Sequence, residues 1–431
     1  MANNPNMDAL LKWSMRNQDP NAPPASEIAE QLAQGKRPDL DPSVLDAMMG
    51  KSEAQMMQEE LAVAVNDKRS DDDRATALDN FEMLIESIDN ANLITSMKMW
   101  QPLLALLSST SSPQLQVATL WILGTAVQNN PSAQDALLHA PTANGQGLDA
   151  ILPLLRDSSD MGVRAKAMYT VSGLLGHYPK AVQEFESKGG FVALKGALQD
   201  PSINIRRKTA FLINSLLMQD DSAAQSAAAQ PLLLGGPPAS ATSAAAAAPA
   251  PAPTTTPATA VAPVPNSGPT SASPAGPAPY EKPPVTSTEA SGVRHPSITT
   301  AMLRSGLFKM LLASLLPSSA IPAGFSSSGG SDDDAAIRPP ELGPDGDAPE
   351  AREDEDYAEK ALRAATTFVT KYDEAPVGAR VPLEAGVVKG IQALRSEYDG
   401  KTAAATWDWK RLNLDAEEWQ KFEAGVDRLA A

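Results

Sequence analysis

The sequence predicts an all-α fold, a solenoid of stacked helical repeats interrupted by long disordered linkers. Three observations carry this expectation. One apolar spacing returns along the chain, shorter apolar helices precede most of its copies, and aromatic residues make up only 5% of the composition. Cores built mainly from Leu, Ala, Ile and Val suit helical repeats.

The recurring spacing is clearest at Val163, Ala167, Thr170, Val171 and Leu174, which lie on one face of an α-helix. The same spacing returns at Leu115, Thr119, Ile122, Leu123 and Ala126, and at Ile205, Thr209, Leu212, Ile213 and Leu216. It also appears at Ala77, Phe81, Leu84, Ile85 and Ile88, and far downstream at Tyr357, Ala361, Ala364, Ala365 and Phe368. A shorter helix precedes most copies: Trp100, Leu103, Leu104, Leu107; Leu148, Ile151, Leu152, Leu155; and Phe308, Leu311, Leu312, Leu315. The copy near Phe191, Leu194 and Leu198 has Lys195 at an apolar position. Ser112-Pro113 and Asp200-Pro201 each set a capping side chain before a proline suited to a first helical turn. Pro131 and Pro179, 48 positions apart, read as following the ends of two long helices. A period near 40 to 47 residues describes an armadillo-like α-solenoid, whose units bury their apolar faces only by stacking.

Six regions follow from this pattern. Residues 1–20 form an N-terminal segment and 21–55 a linker. Residues 56–220 hold four repeats, and 221–291, rich in Ala, Pro, Ser and Thr, should be disordered for want of apolar bulk. Residues 292–375 hold a fifth repeat, split by an acidic insertion at 317–356, and 376–431 form a partly helical tail concentrated in Trp and Phe.

Composition excludes several functions. The net charge of −17 argues against nucleic acid or an anionic membrane as main partner. The chain lacks cysteine, which removes disulfides, thiolate zinc sites and cysteine nucleophiles. Residues 1–19 lack an apolar core and positive leader, and no run approaches the length needed to span a bilayer. A soluble, cytoplasmic, monomeric protein is expected. His139, His177 and His295 are scattered, and no phosphate loop or hydrolase motif is present. The clusters Asp71–Asp73 and Asp332–Asp334 lack the alternating ligands of a calcium loop. The expectation is therefore a non-enzyme with no cofactor, metal or catalytic residue.

Two features suggest binding. Arg164 and Lys166 recur 42 positions later as Arg206 and Lys208, with Arg207 beside them. Equivalent positions in a stacked array line one surface, so these cations either form a ridge suited to an acidic protein or are ordinary solvated helix charge. The second feature is the segment Met7, Leu10, Leu11, Trp13 and Met15, flanked by Lys12 and Arg16. It reads as a tethered linear binding motif, or as a helix docked on the first repeat.

The run from Asp79 to Glu86, continuing through Asp89-Asn90-Ala91-Asn92, resembles the first repeat of the armadillo-type nucleotide exchange factors of seventy-kilodalton heat-shock chaperones. Gly124 to Asn130 resembles the second repeat, Val163 to Tyr169 the third, and Arg206-Arg207-Lys208 the fourth; Leu10 to Ser14 matches as well. The resemblance implies that a concave face grips one lobe of the chaperone's nucleotide-binding domain and favours an open state that holds ADP weakly. It further implies that the N-terminal segment mimics a client and engages the chaperone's substrate-binding domain. Carried over residue by residue, the chaperone-binding set is Asn90, Ala91, Arg164, Lys166, Arg206, Arg207 and Lys208, with Asn129 and Asn130 beside it. The client-mimic set is Leu10, Leu11 and Trp13. The alternative is an armadillo adaptor for extended peptides. That reading wants a ladder of Trp followed four residues later by Asn, whereas Trp121 is followed by Thr125, Tyr169 by Gly173 and Phe211 by Ser215. The long linker, acidic insertion and tail depart from the compact members of the family.

Overall fold

The computed structural model describes residues 51–109, 112–220, 295–322, 325, 350–400 and 408–430. These residues are almost entirely α-helical. The N-terminal segment 1–20, the stretch 221–291 and most of the acidic insertion lie outside them.

The first layer is a pair of helices, α1 (Glu53–Ala64) and α2 (Asp71–Ile85). Three layers of three helices follow: α3 (Ile88–Ser96), α4 (Trp100–Ser109) and α5 (Pro113–Val127); α6 (Pro131–His139), α7 (Gly147–Asp157) and α8 (Met161–Leu175); α9 (Pro179–Ser187), α10 (Gly190–Ala197) and α11 (Ile203–Gln219). A fifth layer holds α12 (Ile298–Arg304), α13 (Leu307–Leu315) and α14 (Glu355–Glu374). Helices α15 (Ala385–Tyr398) and α16 (Ala416–Ala430) come last. A two-residue hairpin, β1 (Pro141–Thr142) against β2 (Gly145–Gln146), joins α6 to α7 and pairs Pro141 with Gln146 antiparallel.

Local chemistry sets these boundaries. Ser52, Ser70, Asn130, Asp160, Ser297 and Asp354 each accept a backbone N–H at a helix start. Ser52 and Gln55 complete a reciprocal capping box, so helix begins at Glu53, inside the stretch read as linker. Pro131 and Pro179 open α6 and α9 and do not merely follow the long helices. Left-handed residues turn the chain between elements. Gly189 (φ 76°) and Gly306 (φ 72°) separate the first and second helices of their layers, and Lys98 (φ 58°) does the same in the second layer. Asn129 (φ 51°) and His177 (φ 54°) separate the third helix of one layer from the first helix of the next.

Stacking produces rows. The third helices contact one another in succession, α2 on α5, α5 on α8, α8 on α11, α11 on α14. The second helices α4, α7, α10 and α13 form a parallel row. The fifth layer therefore seats directly on the fourth despite the long linker. The two C-terminal helices continue the array: α15 packs on α13 and α16 on α14. Leu412, Leu414, Trp419, Phe422 and Val426 are buried in that last layer, with the Trp409 and Trp419 rings stacked at 5.7 Å. The tail is thus a closing layer of the solenoid.

The described ends of the acidic insertion are built into the array as well. Phe325 is buried, and a Cβ on Gly390 of α15 would lie 2.6 Å from its ring, so that close approach requires glycine. Asp354 is the N-cap of α14. Among the described residues no single helix is long and apolar enough to cross a membrane.

Candidate interaction face

The third-row helices α2, α5, α8 and α11 bury Phe81, Leu115, Ile122, Val163, Ala167, Leu174, Ile205 and Ile213 on one side. Their other side carries the exposed groups. Trp121 is 41% exposed and Phe211 59%, against a core whose Leu and Ile side chains are near zero. Trp121, Tyr169 and Phe211 occupy corresponding turns of α5, α8 and α11.

The contact between α5 and α8 is unusually close. A Cβ on Gly124 would lie 2.4 Å from the Tyr169 ring, so glycine at this position lets the ring lie against the α5 backbone. The Tyr169 hydroxyl stands 3.4 Å from Thr125 Oγ1, and Thr125 donates to Glu82 Oε1 of α2 at 2.7 Å. Thr170 donates to the Leu120 carbonyl at 2.7 Å. One polar thread thus crosses three layers. Lys166 lies over this surface, its Nζ 3.5 Å from the Trp121 ring centroid. Burial, then the nearby Lys208 charge, lowers the Lys166 ammonium below its ordinary value, with Glu82 opposing.

The cations expected to form one ridge divide into three kinds. Lys208 is exposed and Lys166 half-buried, and both face the third-row surface beside each other. Arg164 turns aside to Asp200, with Nε to Oδ2 at 2.6 Å and Nη2 to Oδ1 at 3.1 Å. Arg206 is fully buried, and its Nε donates to the Asp200 carbonyl at 2.5 Å. These two guanidiniums converge on the turn between α10 and α11 and pin it, a task for which the planar fork is suited. Arg207 reaches across to the fifth layer, donating to Asp354 Oδ1 at 2.9 Å, with Asp356 at 3.4 Å. The continuous ridge is therefore corrected. Lysines face outward, and the arginines tie helices and layers together.

Asn90 and Ala91 are likewise packed within the array. Asn90 is 6% exposed and donates to Glu53 Oε2 at 2.7 Å and to the Leu84 carbonyl at 2.8 Å, joining α1, α2 and α3. Ala91 is 2% exposed. Both positions set the packing of the first two layers. Asn129 supplies a left-handed turn, and Asn130 caps α6 and donates to Asn92 Oδ1 at 3.1 Å. Leu10, Leu11 and Trp13 lie outside the described residues. Sequence reasoning passed over Trp121 and Phe211 as binding groups, although both interrupt otherwise polar helix faces.

The third-row surface carries a charge gradient. Asp72, Asp79 and Glu86 are exposed on and just beyond α2, α5 presents uncharged Val117 and Trp121, and Lys166 and Lys208 follow on α8 and α11. Among the described residues no cluster of His or carboxylates is arranged to hold a metal ion.

Two family models match in succession. "Nucleotide exchange factor Fes1" covers residues 7–94, and "SIL1/FES1/HPBP1 C-terminal domain" covers residues 90–231. A protein of Mycosarcoma maydis named Hsp70 nucleotide exchange factor FES1 is 41% identical over 439 aligned residues, covering all of both chains. The protein of the same name from Cryptococcus neoformans is 41% identical over 200 residues, covering 45% of this chain and 51% of that one. The Saccharomyces cerevisiae protein of that name is 33% identical over 198 residues, covering 45% and 64%.

Proposed function

The chain belongs to the Fes1 family of Hsp70 nucleotide exchange factors, and from that premise we propose that it grips the nucleotide-binding domain of a seventy-kilodalton chaperone through its third-row face. The observation that carries this is the match to a named exchange factor along the whole chain, including the fifth layer and the closing helices.

The protein works as a co-chaperone and not as a catalyst. Exchange follows from linkage. A partner that binds the open state of the nucleotide-binding domain more tightly than the closed state lowers ADP affinity by the same factor. A coupling of about 1.4 kcal/mol is needed for each tenfold weakening of ADP. The graded face supplies orientation, with Lys166 and Lys208 meeting carboxylates of the chaperone lobe and Trp121 and Phe211 supplying apolar contact. ADP then leaves, ATP enters and the client is released. Leu10, Leu11 and Trp13, apolar and flanked by Lys12 and Arg16, act as a client mimic on the substrate-binding domain. The protein acts as a monomer in the cytoplasm.

The test is release of fluorescent ADP from a cytosolic seventy-kilodalton chaperone. At saturation the chain should accelerate release at least tenfold. Binding without acceleration would sink this reading. Deleting residues 1–20 should leave exchange intact and slow client release; loss of exchange on that deletion would overturn the client-mimic role.

A further inference from the structure

Lys166 of α8 sets its ammonium against two rings, Trp121 of α5 and Tyr169 of its own helix, which together make a slot for one cation. Lys166 Nζ is 3.5 Å from the Trp121 centroid and 5.5 Å from that of Tyr169. An ammonium within about 6 Å of an aromatic face is held by the ring's quadrupole. The Tyr169 ring is fixed in place. Gly124 admits the Tyr169 ring against the helix backbone, and the Thr125 hydroxyl links that ring to the Glu82 carboxylate. Glu82 in turn favours the charged form of Lys166. Two π faces and a nearby carboxylate are the recognition chemistry of a lysine or arginine side chain, and here the protein's own lysine supplies it.

We propose that Lys166 is an internal occupant of a cation slot and thereby the specificity-determining residue of the third-row face. It denies the slot to Lys and Arg side chains of passing peptides. With Lys208 beside it, it reserves this part of the face for a partner that presents carboxylates. Exclusion by an internal charge is a repulsive element of the kind that specific interfaces carry. The selection of an acidic partner rests on the function proposed above; the exclusion of cations rests on the slot alone.

The test uses the full chain and a fluorescent octapeptide of alternating Lys and Arg, read by anisotropy at low salt. Wild type should show no saturable binding. Lys166→Ala and Lys166→Met should each gain at least tenfold in affinity, the methionine variant keeping most of the packed stem. Lys166→Arg keeps the cation over the ring and should behave as wild type. Adding Trp121→Ala to Lys166→Ala should abolish the gain. Equal binding by wild type and Lys166→Ala would overturn the proposal, as would a gain that survives loss of Trp121, because removal of one positive charge would then explain it. The same proteins are run in the ADP-release assay. Failure of wild type there breaks the exchange-factor reading, while the peptide measurements still decide the slot.

Discussion

The junction between α5 and α8 and the junction between α11 and α14 join the same row by different means. At the first, ring and backbone touch directly, through Gly124 against Tyr169, and the polar ties are Thr170 to the Leu120 carbonyl, the Tyr169 hydroxyl beside Thr125 Oγ1, and the Lys166 ammonium over the Trp121 ring. At the second, Arg207 pairs with Asp354 and Asp356, Thr367 donates to Asn214 Oδ1 at 2.9 Å, and Lys371 donates to the Asp220 carbonyl at 3.1 Å. Consecutive layers before Asp220 are joined by short connections, so docking costs little chain entropy and apolar stacking fixes the register. The later layers arrive after residues 221–294. Closing a loop of that length costs more, by an amount growing as the logarithm of its length, and the docked face needs directional contacts to choose one register. At the α11–α14 junction charge aligns what chain continuity does not, whereas the Arg164–Asp200 pair adds to a register that short connections already constrain.

Experiments that attack this contrast should differ in size. Forcing charge into the apolar early region should do most: Ala91→Arg, at a site 2% exposed, should cost about 3 kcal/mol or more through overpacking and an unpaired buried charge, seen as a lowered denaturation midpoint. Removing the charged tie comes next. Asp354→Ala loses both the Arg207 pair and the N-cap of α14, and should cost about 2 kcal/mol, with proteolysis beginning between α11 and α14. Acid provides a graded version. Burial pushes the Asp354 carboxyl up, but hydrogen bonds from Arg207 and the Tyr357 N–H, with the charges of Arg207 and Lys360, hold it below its ordinary 3.8. A carboxylate whose folded value is depressed contributes stability above the unfolded value, and that contribution is lost as pH falls further. Hydrogen exchange measured from pH 5 to pH 3 should therefore show α14 opening before α8. The smallest effect is expected from Thr367→Val, about 1 kcal/mol for one hydrogen bond, detectable as faster amide exchange in α14. If Gly124→Ala proved milder than Thr367→Val, the early junction would not depend on close packing and the contrast would fail.

The long helices were legible in the sequence because four or five positions per copy mark a broad buried stripe, although Ile88, counted in the first copy, instead opens α3 and is exposed. The first helices of the layers were not. At nine residues each, α3, α6 and α9 hold too few apolar positions to show a period, and the opening prolines of α6 and α9 look the same as prolines that end a helix. Arg206 was misplaced because charge outweighed position. It follows Ile205 and precedes Thr209 and Ala210 by one turn, all buried, so the stripe ran through it. Asn90 and Ala91 were read as surface for a related reason, since a polar residue near a helix start resembles a contact group until its acceptors, Glu53 and the Leu84 carbonyl, are seen. The closing layer was half legible. Its Trp and Phe residues announced packing, but their partner is α14, with the whole of α15 lying between the two in sequence.

Asp220 has a further consequence. Its Oδ2 accepts the Ile298 N–H at 2.8 Å and its carbonyl accepts Lys371, so the last residue of the fourth layer is bonded directly to the fifth. Covalent passage through the intervening residues is not what holds the halves together. A polypeptide severed there should complement in trans, residues 1–220 and 295–431 reassembling from separate chains, and a permuted protein with new termini at that point should retain the grip of the parent.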